Sequence, residues 1–520
     1  MVRKILFFLI LLNVCFSAQT VYAKNTLTAA WSANVGPLNP HAYNPNEMFA
    51  QVIAYDGLVH FNGKTIEPAL AKSWQVSDDH KTYTFKINTQ IKFSDGTPLT
   101  AQIIQKNFNA IMHNKDRHSW LISIKLLQSW KALDNETFEI TLSEPYPLFL
   151  TELSLPRPFR ILSPTGFINP DIDDTTQIAK PIGTGPWVLV ESKLGLYDRF
   201  EKNPYYRGEF GDFDELKIYV LPDANSRILA LETGQVDILF GEGNFNLENF
   251  VRLSENPKYG AFTSEARLTN MIALNSNRSY TKDINIRKAI LHAVNKDIII
   301  QYILKGKEYK ANTIFNPHTK YNEQKNIYEY NVAKAKSYLE KAGFKQNGQF
   351  AEKNGKILEL NLHYLGIDAK QKAIAEAIQA DLLQIGIKLN LKAEEMTIFT
   401  SITKNGEFDL IFNKTWGPPY EPTSYIGSML QPSHADYQAQ KGLPNKAEID
   451  KNILTIFKTF NEQEFAKLHY AVLNALQESA VYLPISFEPD MVLFNKEKIR
   501  NFTFGPMTTE PLLHTLKHVK

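Results

Sequence analysis

Short stretches of alternating apolar and polar residues run along most of the chain and predict strands mixed with helices. Apolar residues occupy every second position over Thr82–Ile87 and again at Ile91 and Phe93, so we expect a strand pair over Thr82–Phe93. The sequence from Asp95 to Pro98 is typical of a turn, and a helix is expected from Thr100.

The segment around Gly183 and the later half of the chain also predict secondary structure. Gly183 and Gly185 indicate a tight loop before a strand at Val188–Val190, because glycine permits backbone angles that other residues resist. In the later half we expect a helix from Asn331 to about Ala342, which Gly343 ends, and then a strand at Ile357–Leu365. A second helix is expected next, with Ile374, Ile378 and Leu382 on one face and Gly386 at its end. A strand at Ile387–Leu391 follows. The strand–helix–strand order implies a parallel pair with a right-handed crossover.

The length of 520 residues exceeds what one hydrophobic core usually serves, so we expect two lobes. The α/β texture differs from the β-rich first half, which places a boundary near residue 265. We expect lobe I at residues 24–265, lobe II at 266–487, and a return to lobe I at 488–520. Two chain crossings between the lobes would form a hinge, with a ligand cleft between the lobes.

The first 23 residues resemble a cleavable secretory signal, with basic Arg3 and Lys4, an apolar run over Ile5–Leu12, and cleavage expected after Ala23. The mature protein is therefore expected to be exported. The 57 Lys and Arg residues, less Arg3 and Lys4, balance the 55 Asp and Glu residues. A chain of about zero net charge argues against nucleic-acid binding. The single cysteine, Cys15, leaves with the signal, which excludes a disulfide or thiolate site in the mature chain.

Motifs of catalysis and metal binding are sparse. No Gly-x-Ser-x-Gly, phosphate-binding loop or His-Glu-x-x-His motif occurs, so we predict that the protein is not an enzyme. Only His514 and His518 have helical ligand spacing, and an adventitious surface pair is the alternative interpretation. Three local clusters suit a ligand site: Arg117–Trp120, Leu155–Arg160 and Thr415–Tyr420. Arginine forks bind carboxylates and aromatic faces enclose small ligands, although surface ion pairs and core aromatics would explain the same residues.

Several longer segments resemble the peptide/nickel-type extracellular solute-binding family, family 5. These are Leu70–Trp74 with Phe93–Gly96, Gly183–Trp187, Ile286–Lys296 and Ala333–Gly343. Five segments of this chain resemble nickel-binding members of the family: Asn34–His41, Asn46–Phe49, Leu155–Arg160, Thr415–Gly417 and Pro432–Asp436. The segments are spread in order over nearly the whole mature chain, so the resemblance covers both expected lobes.

The resemblance implies an α/β, two-lobed periplasmic binding protein of type II, cluster C-like, with a hinge and an extra subdomain on lobe I at about residues 61–180. It also implies the solute-binding component of an ABC importer, a monomer that captures nickel(II) as a chelate with a small organic metallophore, such as a nickel–histidine complex. The cargo would pass to a membrane permease with a cytoplasmic ATPase. A peptide, an opine or haem is the alternative ligand.

The resemblance further implies roles for individual residues. His434 would be the direct metal ligand, and Arg157, assisted by Arg117, would bind the chelator's carboxylates. The remaining chelator-binding residues would be Tyr43, Met48, Trp120, Trp416, Tyr420 and Thr509. This chain departs from its nickel-binding relatives at Asn413 and Thr423, where they have histidines, so the resemblance leaves the preferred chelator open.

Overall fold

The computed structural model describes residues 24–43, 46–241, 243–322 and 328–519. The expected signal peptide and its cleavage site lie outside these residues. Within the described ranges, no helix combines the length and the apolar character needed to cross a membrane.

A single mixed sheet runs through the molecule, with eleven strands among the described residues. Its hydrogen-bonded order is Lys388–Glu394, Glu359–Leu365, Leu410–Lys414, Tyr259–Leu274, Tyr482–Asn495, Ile238–Phe240, Thr26–Trp31, Glu215–Val220, Tyr197–Lys202 and Trp187–Lys193, with Tyr309–Lys310 paired to the side of Tyr482–Asn495. Strands from the two halves of the chain therefore lie at opposite ends of one sheet.

Two long antiparallel strands, Tyr259–Leu274 and Tyr482–Asn495, join these two ends. Their register shifts between Thr263 and Leu268, and such irregularities bend and twist a strand pair. On one side of the shifts the pair continues into Ile238–Phe240, and on the other side into Leu410–Lys414. Residue 265, the expected lobe boundary, lies at this irregularity, inside a continuous strand.

A separate antiparallel sheet has the order Ala71–Val76, Thr82–Ile87, Thr137–Leu142 and Leu127–Ala132. The expected strand pair over Thr82–Phe93 is wrong in its second half. Both edges of Thr82–Ile87 are already paired, so residues 88–93 form a turn-rich segment in which Lys92 makes only an isolated bridge to Pro98. Ile91 and Phe93 are nevertheless buried, which explains their apolar character.

Locally encoded elements match the expectations. Thr100 caps the helix Ala101–His113, and Asn331 caps the helix Val332–Lys341. Three apolar residues of the helix Ala369–Leu383, Ile374, Ile378 and Leu382, are buried. The flanking strands Glu359–Leu365 and Lys388–Glu394 pair in parallel, as predicted.

The tight loop at Gly183 and Gly185 exists for a different reason from the one expected. Neither glycine has a positive φ. A Cβ atom at Gly183 would lie 2.1 Å from the Ala54 carbonyl oxygen, and one at Gly185 would lie 2.5 Å from that of Ile53. Close packing against the helix Met48–Ala54, rather than backbone angle, requires these glycines.

The other α-helices cover Ile122–Leu126, Phe149–Leu153, Ala224–Glu232, Leu247–Ser254, Ile284–Ala293, Lys296–Ile298, Met396–Asn405, Thr423–Ile426, Ala435–Gln440, Lys446–Ile456 and Glu462–Glu478. Small strands complete the fold at Val59–Phe61 with Ile66–Pro68, and at Lys345–Asn347 with Phe350–Lys353 and Lys356–Ile357.

Candidate functional site

Six of the nine site residues expected from the sequence form one connected cluster. They are Tyr43, Trp120 and Arg157 from the first half of the chain, and Trp416, Tyr420 and His434 from the second half. The indoles of Trp120 and Trp416 meet edge to face, with ring centroids 6.3 Å apart and planes at 88°. The cluster therefore joins segments on both sides of the two long strands.

The phenol of Tyr43 anchors the first half of the cluster. Its oxygen accepts a hydrogen bond from Trp120 Nε1 at 2.8 Å and lies 2.8 Å from His118 Nδ1. An indole can only donate, so the Tyr43 oxygen is the acceptor in the first contact, and the tautomer of His118 sets the direction of the second. His118 is fully buried, and burial, followed by the charge of Arg117, lowers the pKa of its imidazole to about 4. His118 is therefore neutral, and its contact with the Tyr43 hydroxyl fixes the Tyr43 ring.

Arg157 lies against this ring. Its guanidinium carbon is 4.7 Å from the centroid of Tyr43, within the range of a cation–π contact. Within the described residues, no carboxylate pairs with the guanidinium and no group accepts a hydrogen bond from it. Burial lowers the pKa of Arg157, and the nearby tyrosines Tyr420 and Tyr43 and the carboxylate of Glu47 oppose that shift. A half-buried, unpaired cation of this kind is suited to an anionic ligand.

Trp416 centres the second half of the cluster. Its ring centroid lies 5.7 Å from that of Tyr420, 5.2 Å from that of Tyr425 and 5.8 Å from that of His434. The turn that carries Trp416 is held by Glu421, which accepts a hydrogen bond from the Gly417 N–H at 2.8 Å. Burial raises the pKa of Glu421 to about 7. Gly417 has a φ of +74°, which favours glycine at this point of the turn.

His434 precedes the helix Ala435–Gln440 and is half-buried. None of the described residues makes a hydrogen bond to its imidazole nitrogens. Burial lowers the pKa of His434, although the charge of Asp436 opposes this shift. The imidazole is thus neutral at neutral pH and has a nitrogen lone pair available for a metal.

Asp436 holds the backbone around His434 in place, and sequence reasoning missed this role. The buried carboxylate accepts hydrogen bonds from four side chains, those of Asn413, Tyr425, Ser428 and Tyr482, at 2.9–3.1 Å. Asp436 lies within the Pro432–Asp436 segment that carries the family resemblance, which was the only signal for it.

Asn413 and Thr423, the two departures from nickel-binding relatives, belong to buried hydrogen-bond networks. Asn413 donates to Asp436 at 3.0 Å. The Thr423 hydroxyl lies 3.0 Å from His469 Nε2, while His469 Nδ1 faces the Phe465 carbonyl at 2.9 Å. Since a carbonyl only accepts, Nδ1 carries the proton and Thr423 donates to Nε2. Both departures are therefore accommodated in the packing beneath the Trp416 turn.

Three expected site residues make no described contact with this cluster. Arg117 is exposed, Met48 begins the helix Met48–Ala54, and Thr509 lies in a turn between Met507 and Glu510. The segment of Thr509 does approach the site, because the Thr508 hydroxyl lies 3.3 Å from where a Cβ of Gly417 would be. Their roles as chelator-binding residues stay predictions.

The C-terminal histidines lie apart from the cluster. His514 packs edge to face against Tyr206, and His518 Nδ1 faces the Val519 carbonyl. No group of three or more His, Cys, Asp or Glu side chains in the described part of the chain is placed to hold a metal ion. A cleft of about 1280 Å³ beside Pro418 and Pro419 contains neither Arg157 nor His434.

A family model described as "Bacterial extracellular solute-binding proteins, family 5 Middle" matches residues 65–437, which is more than half of the chain. The chain belongs to this solute-binding family. Family 5 proteins are transport binding proteins, so this protein is not an enzyme.

Within family 5, the chain is 42% identical to the nickel-binding periplasmic protein of Escherichia coli K12 over 503 residues, covering 96% of this chain and 95% of that protein. The structure of NikA from Brucella suis in complex with Fe(III)-EDTA superposes with a TM-score of 0.92 at 40% identity, covering 95% of this chain and all of that one. This similarity establishes the α/β, two-lobed binding-protein fold that the resemblance implied. The haem-binding protein A of Haemophilus influenzae is 25% identical over 83% of this chain and 81% of its own length.

Proposed function

We propose that this protein is the periplasmic solute-binding component of an ABC importer, which captures nickel(II) as a chelate with a small organic molecule. One observation carries the proposal. The cluster presents an unpaired guanidinium, that of Arg157, and an imidazole with no described hydrogen-bond partner, that of His434. The guanidinium suits the carboxylates of an aminocarboxylate chelator, and the imidazole suits a coordination position that the chelator leaves open on the metal.

The chemistry of nickel fits this pair. Nickel(II) favours imidazole nitrogen and carboxylate oxygen, and a small chelator such as histidine supplies several such atoms. His434 would then complete the coordination, while Arg157 would form a bidentate pair with the chelator's carboxylate. The indoles of Trp120 and Trp416 would cover the apolar faces of the chelate.

Two relatives support the ligand class. The 42% identical Escherichia coli protein is a nickel-binding periplasmic protein. The Brucella suis NikA structure holds Fe(III)-EDTA, a metal in an aminocarboxylate chelator. Haem enters only through the 25% identical relative, so we do not propose haem as cargo.

Delivery follows from the family's role in transport. We propose that residues 1–23 are removed after Ala23, that the mature chain is a periplasmic monomer, and that it delivers cargo to permease and ATPase subunits. Lobe I would comprise residues 24–265 and 488–520, with the subdomain at about 61–180, and lobe II residues 266–487. The register shifts between Thr263 and Leu268 would form the hinge. Opening of the lobes would break one metal–protein bond, so release needs no exchange of a full ligand set.

Equilibrium dialysis tests the proposal and its alternatives together. Residues 24–520 are dialysed against nickel alone, nickel with L-histidine, haemin, and a mixture of short peptides. We expect about one nickel per chain only when histidine is present. Retention of haemin or peptide without retention of nickel–histidine would overturn the proposal in favour of those ligands.

A further inference from the structure

We infer that a cavity of about 360 Å³ beside the Trp120–Trp416 pair receives an apolar arm of the chelator, so that the transported chelate has a polar metal-binding head and an apolar tail. The inference rests on the proposed function and specifies its substrate class. The cavity is lined by three residues of the candidate site, Trp120, Trp416 and His434, and Arg157 does not line it. An arm attached to a metal-bound chelator at His434 would therefore enter the cavity directly.

The rest of the wall is mostly apolar. It comes from the first half of the chain through Ile122, Leu126, Pro145 and Tyr146, and from the second half through Leu430, Leu454 and Phe457. The Tyr146 and Phe457 rings of this wall meet edge to face, with centroids 6.1 Å apart. Binding of a hydrocarbon group to such a surface is favourable, because the group is transferred out of water.

Several polar groups in the wall have partners inside the protein, whereas the side chains of Lys125, Ser424 and Gln431 make no hydrogen bond to the described residues. The Tyr146 hydroxyl donates to Glu152 at 2.6 Å, and Glu152 also accepts from the Ser123 N–H at 2.9 Å. The Ser428 hydroxyl donates to Asp436 at 3.1 Å. A polar arm would have to replace its hydrogen bonds to water at Lys125, Ser424 or Gln431, whereas an apolar arm has none to replace.

The cavity is enclosed by both halves of the molecule. Lys458 and Glu144 form an ion pair of 2.6 Å across its rim, and each side chain is about half exposed. An exposed pair adds little energy by itself. An arm in the cavity would contact walls from both sides at once, and so would favour the closed arrangement of the lobes.

The size of the cavity sets the size of the arm. An apolar protein cavity of about 150 Å³ is enough to bind benzene. The volume of about 360 Å³ therefore accommodates one or two aromatic rings or a short aliphatic chain. Complete burial of one such ring would strengthen binding by about tenfold or more.

Two nickel chelates that share one head test the inference. The affinities of nickel–iminodiacetate and nickel–N-benzyliminodiacetate for residues 24–520 are measured by calorimetry. We expect the benzyl compound to bind at least about tenfold more tightly to the wild type. Equal affinities, with nickel–L-histidine still bound, would overturn this inference alone. Failure of all three chelates to bind would overturn the proposed function, and the inference with it.

Variants that fill the cavity from either wall test whether the affinity difference between the two chelates arises in the cavity. Leu126→Trp and Ser424→Phe should each bring the affinity ratio of the two chelates close to one. Ile367→Trp, at a side chain that is 90% exposed and outside the cavity, is the matched control and should keep the wild-type ratio. A ratio unchanged by both filling variants would contradict the assignment. Thermal melts confirm that each variant is folded, and a crystal structure with the benzyl chelate gives an independent answer from the position of its ring.

Discussion

The guanidinium of Arg157 provides the most quantitative prediction about the chelate site. It lies 4.7 Å from the Tyr43 ring centroid, is half-buried, and has no ion-pair partner among the described residues. A hydrogen bond to a charged group contributes about 1.5–3 kcal/mol. Arg157→Ala should therefore weaken binding of the nickel–histidine chelate by about 10- to 150-fold. Calorimetric titration at fixed excess L-histidine measures the change.

Two further variants separate charge from geometry. Arg157→Lys keeps the positive charge but loses the planar fork, so its affinity should fall between those of wild type and Arg157→Ala. Arg252→Ala is the matched control, because Arg252 pairs with Glu232 on the surface of the helix Leu247–Ser254. The unliganded Arg157→Ala protein should melt close to the wild type, since the desolvation cost of the half-buried charge offsets its cation–π contact with Tyr43. An Arg157→Ala affinity within about threefold of wild type, well below the 1.5 kcal/mol minimum, would refute the reasoning.

Three other substitutions test neighbouring features. His434→Ala should lower the imidazole scattering in the X-ray absorption spectrum of bound nickel–histidine by one ring, because free histidine keeps its own imidazole, and a spectrum identical to wild type would exclude His434 as a ligand. Tyr43→Phe removes the hydroxyl that accepts from the Trp120 indole and makes a hydrogen bond with His118, so it should lower the free energy of unfolding by about 1–3 kcal/mol in denaturant titrations; unchanged stability would contradict this. Burial raises the pKa of Glu510 from 4.5 to about 7, so the stability contributed by its protonated form is complete below pH 4.5 and is lost as pH rises through 7. The stability of Glu510→Gln relative to wild type should therefore increase between pH 5 and pH 8. A difference in the free energy of unfolding that does not change with pH would contradict the raised pKa of Glu510.

Local patterns in the sequence predict the α/β unit of the second half well. Asn331 caps its helix, and the spacing of Ile374, Ile378 and Leu382 places all three in the core. These outcomes depend on residues within a few turns of one another. The segment of Ile91 and Phe93 shows the limit, because whether it pairs as a strand depends on Ala71–Val76 and Thr137–Leu142, which occupy both edges of its neighbour.

The candidate site also has a part that local sequence predicts and a part that depends on distant segments. The arginine and aromatic clusters are visible in the sequence, but their meeting depends on how the two halves of the chain pack. The residues that hold them, such as His118 and Asp436, are harder to find, because their importance lies in hydrogen bonds to distant segments. Arg117 illustrates the converse, since it belongs to a suggestive motif yet is exposed in the structure.

Calorimetric titration of metal-stripped residues 24–520 tests the central claim most directly. Nickel is added alone, and then with excess L-histidine. The account predicts tight, saturable binding only in the presence of histidine, because His434 completes a coordination that the chelator supplies in large part. Equal binding of nickel with and without histidine would show that the protein itself provides the ligand set, and no binding in either condition would contradict a nickel–histidine carrier.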